Sequence, residues 1–234
     1  MIRKCKFAGI FFDVRTGVLN FGVAVLCAYW HRNQPDLFIA ILGGISVDDG
    51  NTIDVVGMGR WLLLIAFFLL LATLQFDRLK NVMKFEISRM ASFKRWWRLS
   101  FLRSQITFFL SFLYCCCVWC AGSVLLYGTI KVETGCLLTF YIHMSMWIAV
   151  SSLGNVATGK NILPGAIIIM EGMLYVGSIN WNFPALTGGM YLRIVTAGRV
   201  GMLNVYVIEM CVIILCYMMG IFMWKKGYLE RWDI

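Results

Sequence analysis

Long apolar runs separated by short polar stretches are the dominant pattern of the chain. A transmembrane α-helix needs roughly 20 predominantly apolar residues, because the hydrocarbon core of a bilayer is about 30 Å thick. Six runs approach or exceed that length. The pattern predicts an all-α integral membrane protein, with a single transmembrane domain over residues 1–234 and spans at about residues 16–30, 59–76, 104–128, 136–157, 162–179 and 202–224.

The composition excludes an ordinary soluble domain. The chain is 60% hydrophobic and 14% charged, and its mean hydropathy is +0.77, whereas a soluble domain carries roughly 25% charged residues. The net charge of +9 is expected to reflect interaction with the lipid bilayer and not binding of nucleic acid, because basic residues beside spans mainly set the orientation of the protein in the membrane. The N-terminal segment lacks a small-x-small cleavage site, so the first run is predicted to be a retained span.

The basic residues are distributed unequally between the two sides of the predicted membrane. One side receives four in the N-terminal segment, eight in residues 77–103, one at Lys160 and three in the C-terminal tail. The other side receives only five, namely Arg32, Arg60, Lys131, Arg193 and Arg199. By the positive-inside rule, both termini are predicted to be cytoplasmic.

Residues 77–103 form the longest basic segment, between the second and third spans. Apolar residues recur there at steps of three and four, which is typical of an amphipathic helix with one apolar and one charged face. The apolar positions of this pattern are Leu79, Val82, Met83, Ile87 and Met90, and the charged residues Glu86 and Arg89 lie among them at the same steps. We therefore predict an amphipathic cytoplasmic helix that lies on the membrane or docks a partner.

A tryptophan pair follows that helix. Trp96 and Trp97 are flanked by Lys94, Arg95 and Arg98. Indole rings favour the headgroup layer while cations stay in water. The pair is therefore predicted to anchor the start of the third span at the membrane surface.

Two other segments on the predicted outer side have an unusual composition. The apolar patch at residues 37–47 is too short to cross a bilayer, so we expect it on the outer surface or as a re-entrant piece. Residues 180–200 combine aromatic residues with paired glycines. They are interpreted either as a short interfacial helix or gate, or as an ordinary loop anchored by aromatic side chains.

Two motifs resemble a nucleotide site and a metal site, but the residues around them do not fit either kind of site. Residues 154–161 approach a phosphate-binding P-loop, but Asn161 replaces the hydroxyl that binds magnesium and both flanks are membrane spans. The cysteines from Cys115 to Cys120 lie in an apolar helix without histidines or a second cysteine pair at ligand spacing. We therefore expect no nucleotide site, no metal site and no bound cofactor in this chain, and the cysteines are interpreted as small residues at helix contacts.

Ionisable residues inside spans are the stronger functional signal. Glu171 lies in the fifth span, Glu209 in the sixth and His143 in the fourth. A carboxylate in hydrocarbon is unfavourable by about 2.5–3.5 kcal/mol at a span centre, so such residues usually face a partner or a water-filled path. Glu171 and Glu209 are the candidate pathway residues, and Glu171 is predicted to be buried against a polar partner.

The central segment resembles the permease subunits of small Gram-positive type-2 ABC exporters, of the kind that exports antimicrobial peptides or gives immunity to them. The resemblance rests on Arg89, Ser92, Lys94, Arg95, Trp96 and Trp97, in that order, and on the six-span topology with its long basic loop. It is specific only around residues 86–98.

The resemblance implies a multi-pass protein of the bacterial plasma membrane that is not itself an enzyme. It implies separate ABC ATPase subunits, which hold ATP and magnesium, and a second permease, either an identical chain or a sister chain. It also implies a peptide substrate. The residues that it assigns to contact with the ATPase, in a coupling helix between the second and third spans, are Glu86, Arg89, Lys94, Arg95, Trp96 and Trp97.

Two other function classes stay open from the residues alone. One is a self-contained channel or secondary carrier, in which intramembrane charges work without a partner. The other is a membrane scaffold or sensor subunit without transport activity. Co-purification of an ATPase separates the exporter from both.

The topology predicts the accessibility of single cysteines. Cysteines in place of Asp49 and Ser92 should react with an impermeant thiol reagent from outside and from inside, respectively, because the basic residues place position 92 in the cytoplasm. The measurement is labelling of intact against permeabilised cells, with the unsubstituted chain as the control for the nine native cysteines. Labelling of position 92 in intact cells would overturn the map.

Overall fold

The protein is described from a computed structural model that covers residues 14–45, 53–90, 93–158, 162–181, 189–196 and 198–223. For residues 76–90 it describes the helical backbone only. Every regular element in these ranges is a helix, in the order α1 Val14–Trp30, α2 Leu37–Leu42, α3 Val55–Met90, α4 Phe93–Tyr127, α5 Thr134–Thr158, α6 Leu163–Trp181, α7 Tyr191–Thr196 and α8 Gly198–Met223. The chain is thus an all-helical protein over its described part.

Four of the described helices are long and apolar enough to cross a membrane. They are Val55–Gln75 within α3, Phe93–Tyr127, Thr134–Thr158 and Gly201–Met223 within α8. The other two predicted spans are also helices but shorter, since α1 has 17 residues and the apolar part of α6 is Leu163–Ser178. These helices support the predicted membrane-protein class.

The basic segment between the second and third spans differs from the prediction. No separate coupling helix is formed there by the described residues, because residues 77–90 continue α3 and residues 93–103 begin α4. With 36 residues and a rise of about 1.5 Å each, α3 is about 54 Å long, against about 30 Å of hydrocarbon. The amphipathic stretch is therefore the end of a long helix that extends beyond the apolar layer.

Helix α5 is the centre of the bundle. It packs against α2, α3, α4, α6, α7 and α8, and its most extensive interface is with α8. Aromatic rings fill the space between α3, α4 and α5, where Phe68 lies edge-on to Phe108 and Phe112 stacks on Phe140 with ring centroids 5.7 Å apart. Aromatic pairs in these arrangements add about 0.5–1.5 kcal/mol each to the burial of their area.

Helix α1 docks on α4 through polar contacts as well as apolar ones. The Asn20 side chain donates to Ser111 Oγ at 3.3 Å, and the Trp119 indole N–H donates to the Ala24 carbonyl at 3.0 Å. Cys115 is buried at the same interface, with its Sγ 3.9 Å from the Asn20 carbonyl oxygen. This location agrees with the interpretation of the cysteines as small residues at helix contacts.

The short helices α2 and α7 close one end of the bundle. The apolar patch at residues 37–47 contains α2, whose Leu37, Phe38 and Leu42 are fully buried, so the described part of the patch packs into the bundle. The backbone N–H of Leu192 in α7 donates to the Gly43 carbonyl at 3.0 Å, and Arg193 Nε donates to the Ile45 carbonyl at 3.2 Å. The two connections are therefore joined to each other.

The tryptophan pair at the start of α4 is buried inside the bundle, at the end opposite α2 and α7. The exposed fractions of Trp96 and Trp97 are 0% and 1%, and Trp97 donates from Nε1 to the Tyr217 carbonyl of α8 at 3.0 Å. With Phe93 and Val156, the pair forms a small apolar cluster that we call the tryptophan cluster. The predicted headgroup anchoring is therefore wrong, because the rings pack on α5 and α8.

The tryptophan cluster requires a glycine on α8. A Cβ atom at Gly220 would lie 2.1 Å from Trp97 Cε2, so Gly220→Ala should lower the free energy of unfolding by about 1–3 kcal/mol through overpacking. Gly22→Ala is the matched control, since nothing lies within 4 Å of its added Cβ and alanine favours a helix by about 0.5–1 kcal/mol. Thermal unfolding of the purified protein in detergent measures both. Equal melting temperatures for the two variants would contradict this packing.

Candidate functional site

Three helices bring their ionisable side chains together in the middle of the bundle. His143 of α5 lies between Glu209 of α8, whose Oε1 is 2.6 Å from its Nδ1, and Glu171 of α6, whose Oε1 is 2.5 Å from its Nε2. The exposed fractions of the three residues are only 3–4%. We call this group the Glu–His–Glu cluster.

The cluster lies deep in the bundle. His143 is nine residues from the start of α5, which at about 1.5 Å per residue is about 14 Å along the helix. Glu171 and Glu209 are at similar distances from the ends of α6 and α8 on the same side, about 15 Å and about 17 Å. The ionisable groups therefore meet near the middle of the apolar layer.

The short contacts fix how many protons the cluster holds. Each contact joins a ring nitrogen to a carboxylate oxygen, and a hydrogen bond there requires one proton between the two atoms. Two such protons on one imidazole and two carboxyl groups leave a net charge of −1. Glu209 Oε2 is buried and has no hydrogen-bond partner among the described residues. It is therefore an unused acceptor beside an uncompensated charge.

Two tryptophans surround the Glu171 end of the cluster. Trp147, one turn beyond His143 on α5, directs its indole N–H to Glu171 Oε1 at 2.5 Å and lies 2.9 Å from His143 Nε2. The Trp61 indole of α3 lies near the same carboxylate, but its Nε1 is buried without meeting the geometry of a hydrogen bond. Since an indole N–H only donates, the Trp147 ring supplies a second donor to Glu171 Oε1 beside the His143 ring.

The connection before α7 packs directly on the His143 ring. A Cβ atom at Gly189 would lie 2.3 Å from His143 Cδ2, so only glycine fits this close approach. Met190 and Ile194 are buried as well. The connection thus enters the bundle to the depth of the cluster, where irregular backbone is tolerated only because protein surrounds it.

A cavity of about 240 Å³ opens at the same end of the bundle. Its lining includes His31, Gln34, Asp54, Arg60 and Trp61. Burial and the positive charge of Arg60 lower the pKa of His31, so the neutral imidazole is favoured and Arg60 is the principal cation of the lining. Trp61 is common to the cavity and to the surroundings of Glu171.

The cluster does not have the geometry of a metal centre. The two carboxylates approach opposite nitrogens of one ring, so their oxygens do not converge on a common point. In the part of the chain that the structure covers, no group of three or more His, Cys, Asp or Glu side chains is arranged to hold a metal ion.

The structure brings together some of the predicted site residues and separates others. Glu171 and Glu209 share one partner, His143, and Glu171 is buried against a polar group as expected. Lys94 and Arg95 are exposed at the start of α4, beside the buried Trp96 and Trp97. Glu86 and Arg89 lie on the terminal part of α3, where the side chains are outside the described part of the structure.

Sequence reasoning missed the central role of His143 and the two tryptophans. The sequence did contain a signal for His143. Each of the last three predicted spans holds one ionisable residue, and such residues in a bilayer usually pair with one another. Trp61 and Trp147 gave no comparable signal, because tryptophans are common in apolar segments and at interfaces.

Comparison with known proteins adds no identification. The chain matches no protein-family model, no curated protein and no solved structure. Its function is therefore argued from its own residues.

The cluster predicts an unequal response to substitutions. His143→Leu removes both hydrogen bonds, which leaves Glu209 without its partner and Glu171 with only the Trp147 N–H, so it should lower the free energy of unfolding by about 3–5 kcal/mol. Glu171→Gln keeps an oxygen acceptor and should still insert and fold. Unfolding of the purified variants in detergent compares them, with His31→Leu as the control because His31 Nδ1 has no partner among the described residues. A parent-like melting temperature for His143→Leu would show that the cluster does not hold these helices together.

Proposed function

We propose that this chain is the membrane-spanning permease subunit of an ATP-driven exporter of the type-2 ABC kind. The observation that carries the proposal is the pair of long helices α3 and α4, which extend beyond the apolar layer on one side. A membrane subunit driven by a soluble ATPase needs such a projecting element to receive its motion. The order of residues from Arg89 to Trp97 supports the same function.

The base of α4 offers a route from that projection to the bundle. Trp97 donates to the Tyr217 carbonyl of α8, and the tryptophan cluster also contacts Val156 of α5. A displacement of the α3–α4 end therefore acts on α5 and α8 together. These are the helices whose interface contains His143 and Glu209, so motion at the base reaches the Glu–His–Glu cluster.

The charge distribution supports a cytoplasmic location for the projecting end. Lys94, Arg95 and Arg98 lie on the first turns of α4, and basic residues are favoured on the cytoplasmic side. In this orientation the chain has six spans with both termini in the cytoplasm, α1 and α6 being the short ones. The α2–α7 end then faces the outside.

The proposal includes partners and a substrate class. Two ATPase subunits hold ATP and magnesium and bind the projecting ends. Two permeases, either identical or sister chains, enclose the path in the plasma membrane of a bacterium. A peptide is the proposed substrate, by resemblance to the exporters of antimicrobial peptides.

The Glu–His–Glu cluster favours a second candidate, a self-contained secondary carrier. Buried ionisable groups of this kind mark ion and proton pathways in carriers that use no ATPase. Transport by the chain alone in proteoliposomes, without ATP, separates this candidate from the exporter.

Glu86 and Arg89 provide the test of the exporter. If they pair at the interface with the ATPase, Arg89→Ala or Glu86→Ala leaves one buried charge unpaired and weakens binding by about 2–5 kcal/mol. Exposed pairs at this spacing contribute only about 0.2–0.5 kcal/mol, so folding should barely change. We expect a normally inserted permease that recovers little ATPase on purification and no longer stimulates ATP hydrolysis.

The matched control is Lys131→Ala at the opposite end of the bundle. Lys131 makes an exposed ion pair of 3.2 Å with Asp36, which contributes at most about 1 kcal/mol. This variant should bind and stimulate the ATPase like the parent. If the Glu86 and Arg89 variants do so as well, the coupling role of this end fails and the carrier becomes the better candidate.

A further inference from the structure

We propose that the Glu–His–Glu cluster is a proton-binding site, which takes up one proton on Glu209 and exchanges it with the cavity at the α2–α7 end. The proposal does not rest on the exporter function. It concerns a property of the purified chain and holds for a carrier as well.

The first step is the charge of the cluster. With one proton in each short contact, the three side chains carry a net charge of −1 in a place where their exposed fractions are 3–4%. An unpaired charge in such surroundings is unfavourable by several kcal/mol, and buried groups bind or release protons to avoid it. One further positive charge makes the cluster neutral.

The second step is the atom that receives it. Glu171 Oε1 already accepts from the His143 ring and from the Trp147 N–H. Within the described part of the chain, Glu209 accepts from His143 alone, and its Oε2 is buried without a partner. A third proton therefore binds most readily at Glu209 Oε2, where it displaces no hydrogen bond.

The third step is access. Trp61 lines the cavity and is buried against Phe140, with ring centroids 5.5 Å apart. On its other side the indole lies near Glu171. Trp61 thus lies between the cavity and Glu171, and His143 and Glu209 follow further inward. Because an indole N–H cannot accept a proton, exchange with the cavity requires the Trp61 ring to move aside.

Charged groups on the neighbouring elements do not neutralise the cluster. From α7, Arg193 is engaged with the Ile45 carbonyl and with Ser178 Oγ at 2.6 Å. From α3, Arg60 lines the cavity. On α8, the Tyr206 hydroxyl pairs with Thr139 at 2.6 Å. The described residues of α2, α4 and α6 bring no further cation against the three side chains.

Proton uptake has a structural consequence at the α5–α8 interface. A hydrogen bond to an ionised carboxylate is roughly twice as strong as one between neutral groups. Protonation of Glu209 therefore weakens its bond with His143. The interface between α5 and α8 is tighter without the third proton and looser with it.

Infrared difference spectroscopy of the full chain in detergent tests the site. Lowering the pH should produce a carboxylic acid C=O band from a group shielded from water. The band should be lost in Glu209→Gln. In Glu171→Gln, which removes the negative charge that drives proton uptake, the Glu209 band should require a lower pH than in the parent. Glu133→Gln, at an exposed carboxylate beside Tyr191, should leave it unchanged. A band that survives in Glu209→Gln, or its absence from the parent, would overturn the proposal.

A second arm distinguishes a proton from a metal cation. The band should have the same intensity in sodium and in choline salts of equal ionic strength. Suppression of the band by sodium would assign the cluster to a metal cation and overturn the proton site.

A third arm tests the route. Ala40→Leu narrows the cavity, so exchange of the Glu209 proton in D₂O should slow about tenfold, equivalent to ~1.4 kcal/mol in a barrier. Ala166→Leu, on an exposed position of α6, is the control and should not change the rate. Equal exchange rates in the two variants would exclude the cavity as the entrance.

Discussion

Two short hydrogen bonds to one imidazole ring connect three helices in the interior of this protein. A single side chain on α5 meets a carboxylate from α6 and another from α8, so the relative positions of these helices depend on one ring. The apolar packing around it is extensive but weakly directional, since lipid is as apolar as the side chains that would pack. The polar contacts therefore specify how the helices are arranged.

The tryptophan cluster extends this dependence along α5 and α8. The same two helices meet at Trp97 near one end of the bundle and at His143 near its middle. A rotation or translation of α8 relative to α5 that changes one contact must be accommodated at the other. This geometry links the α3–α4 end of the bundle mechanically to a buried polar site.

The sequence predicted the helical membrane class well because apolar runs are a direct consequence of the bilayer's thickness. Each of the six runs lies in a helix, and the burial of Glu171 followed from the energy of a charge in hydrocarbon. Periodicity could not show that residues 77–90 continue α3, because an amphipathic segment has the same spacing whether it is a separate helix or the end of a longer one. The prediction that Trp96 and Trp97 lie in the headgroup layer failed for a related reason. Indole rings beside cations are as well suited to a tertiary contact as to the headgroup layer. The partnership of His143 with two carboxylates depends on how α5, α6 and α8 rotate against each other, which no local pattern determines.

Gly189 brings the start of the segment before α7 against the His143 ring of the Glu–His–Glu cluster. Its backbone touches the His143 ring, and the segment that follows it is bonded through Leu192 to the end of α2. The space available to the imidazole is therefore determined in part by the stretch of chain from Gly189 to Leu192. A molecule that binds at the α2–α7 end can change the orientation of the ring through one peptide unit, without displacing any of the long helices.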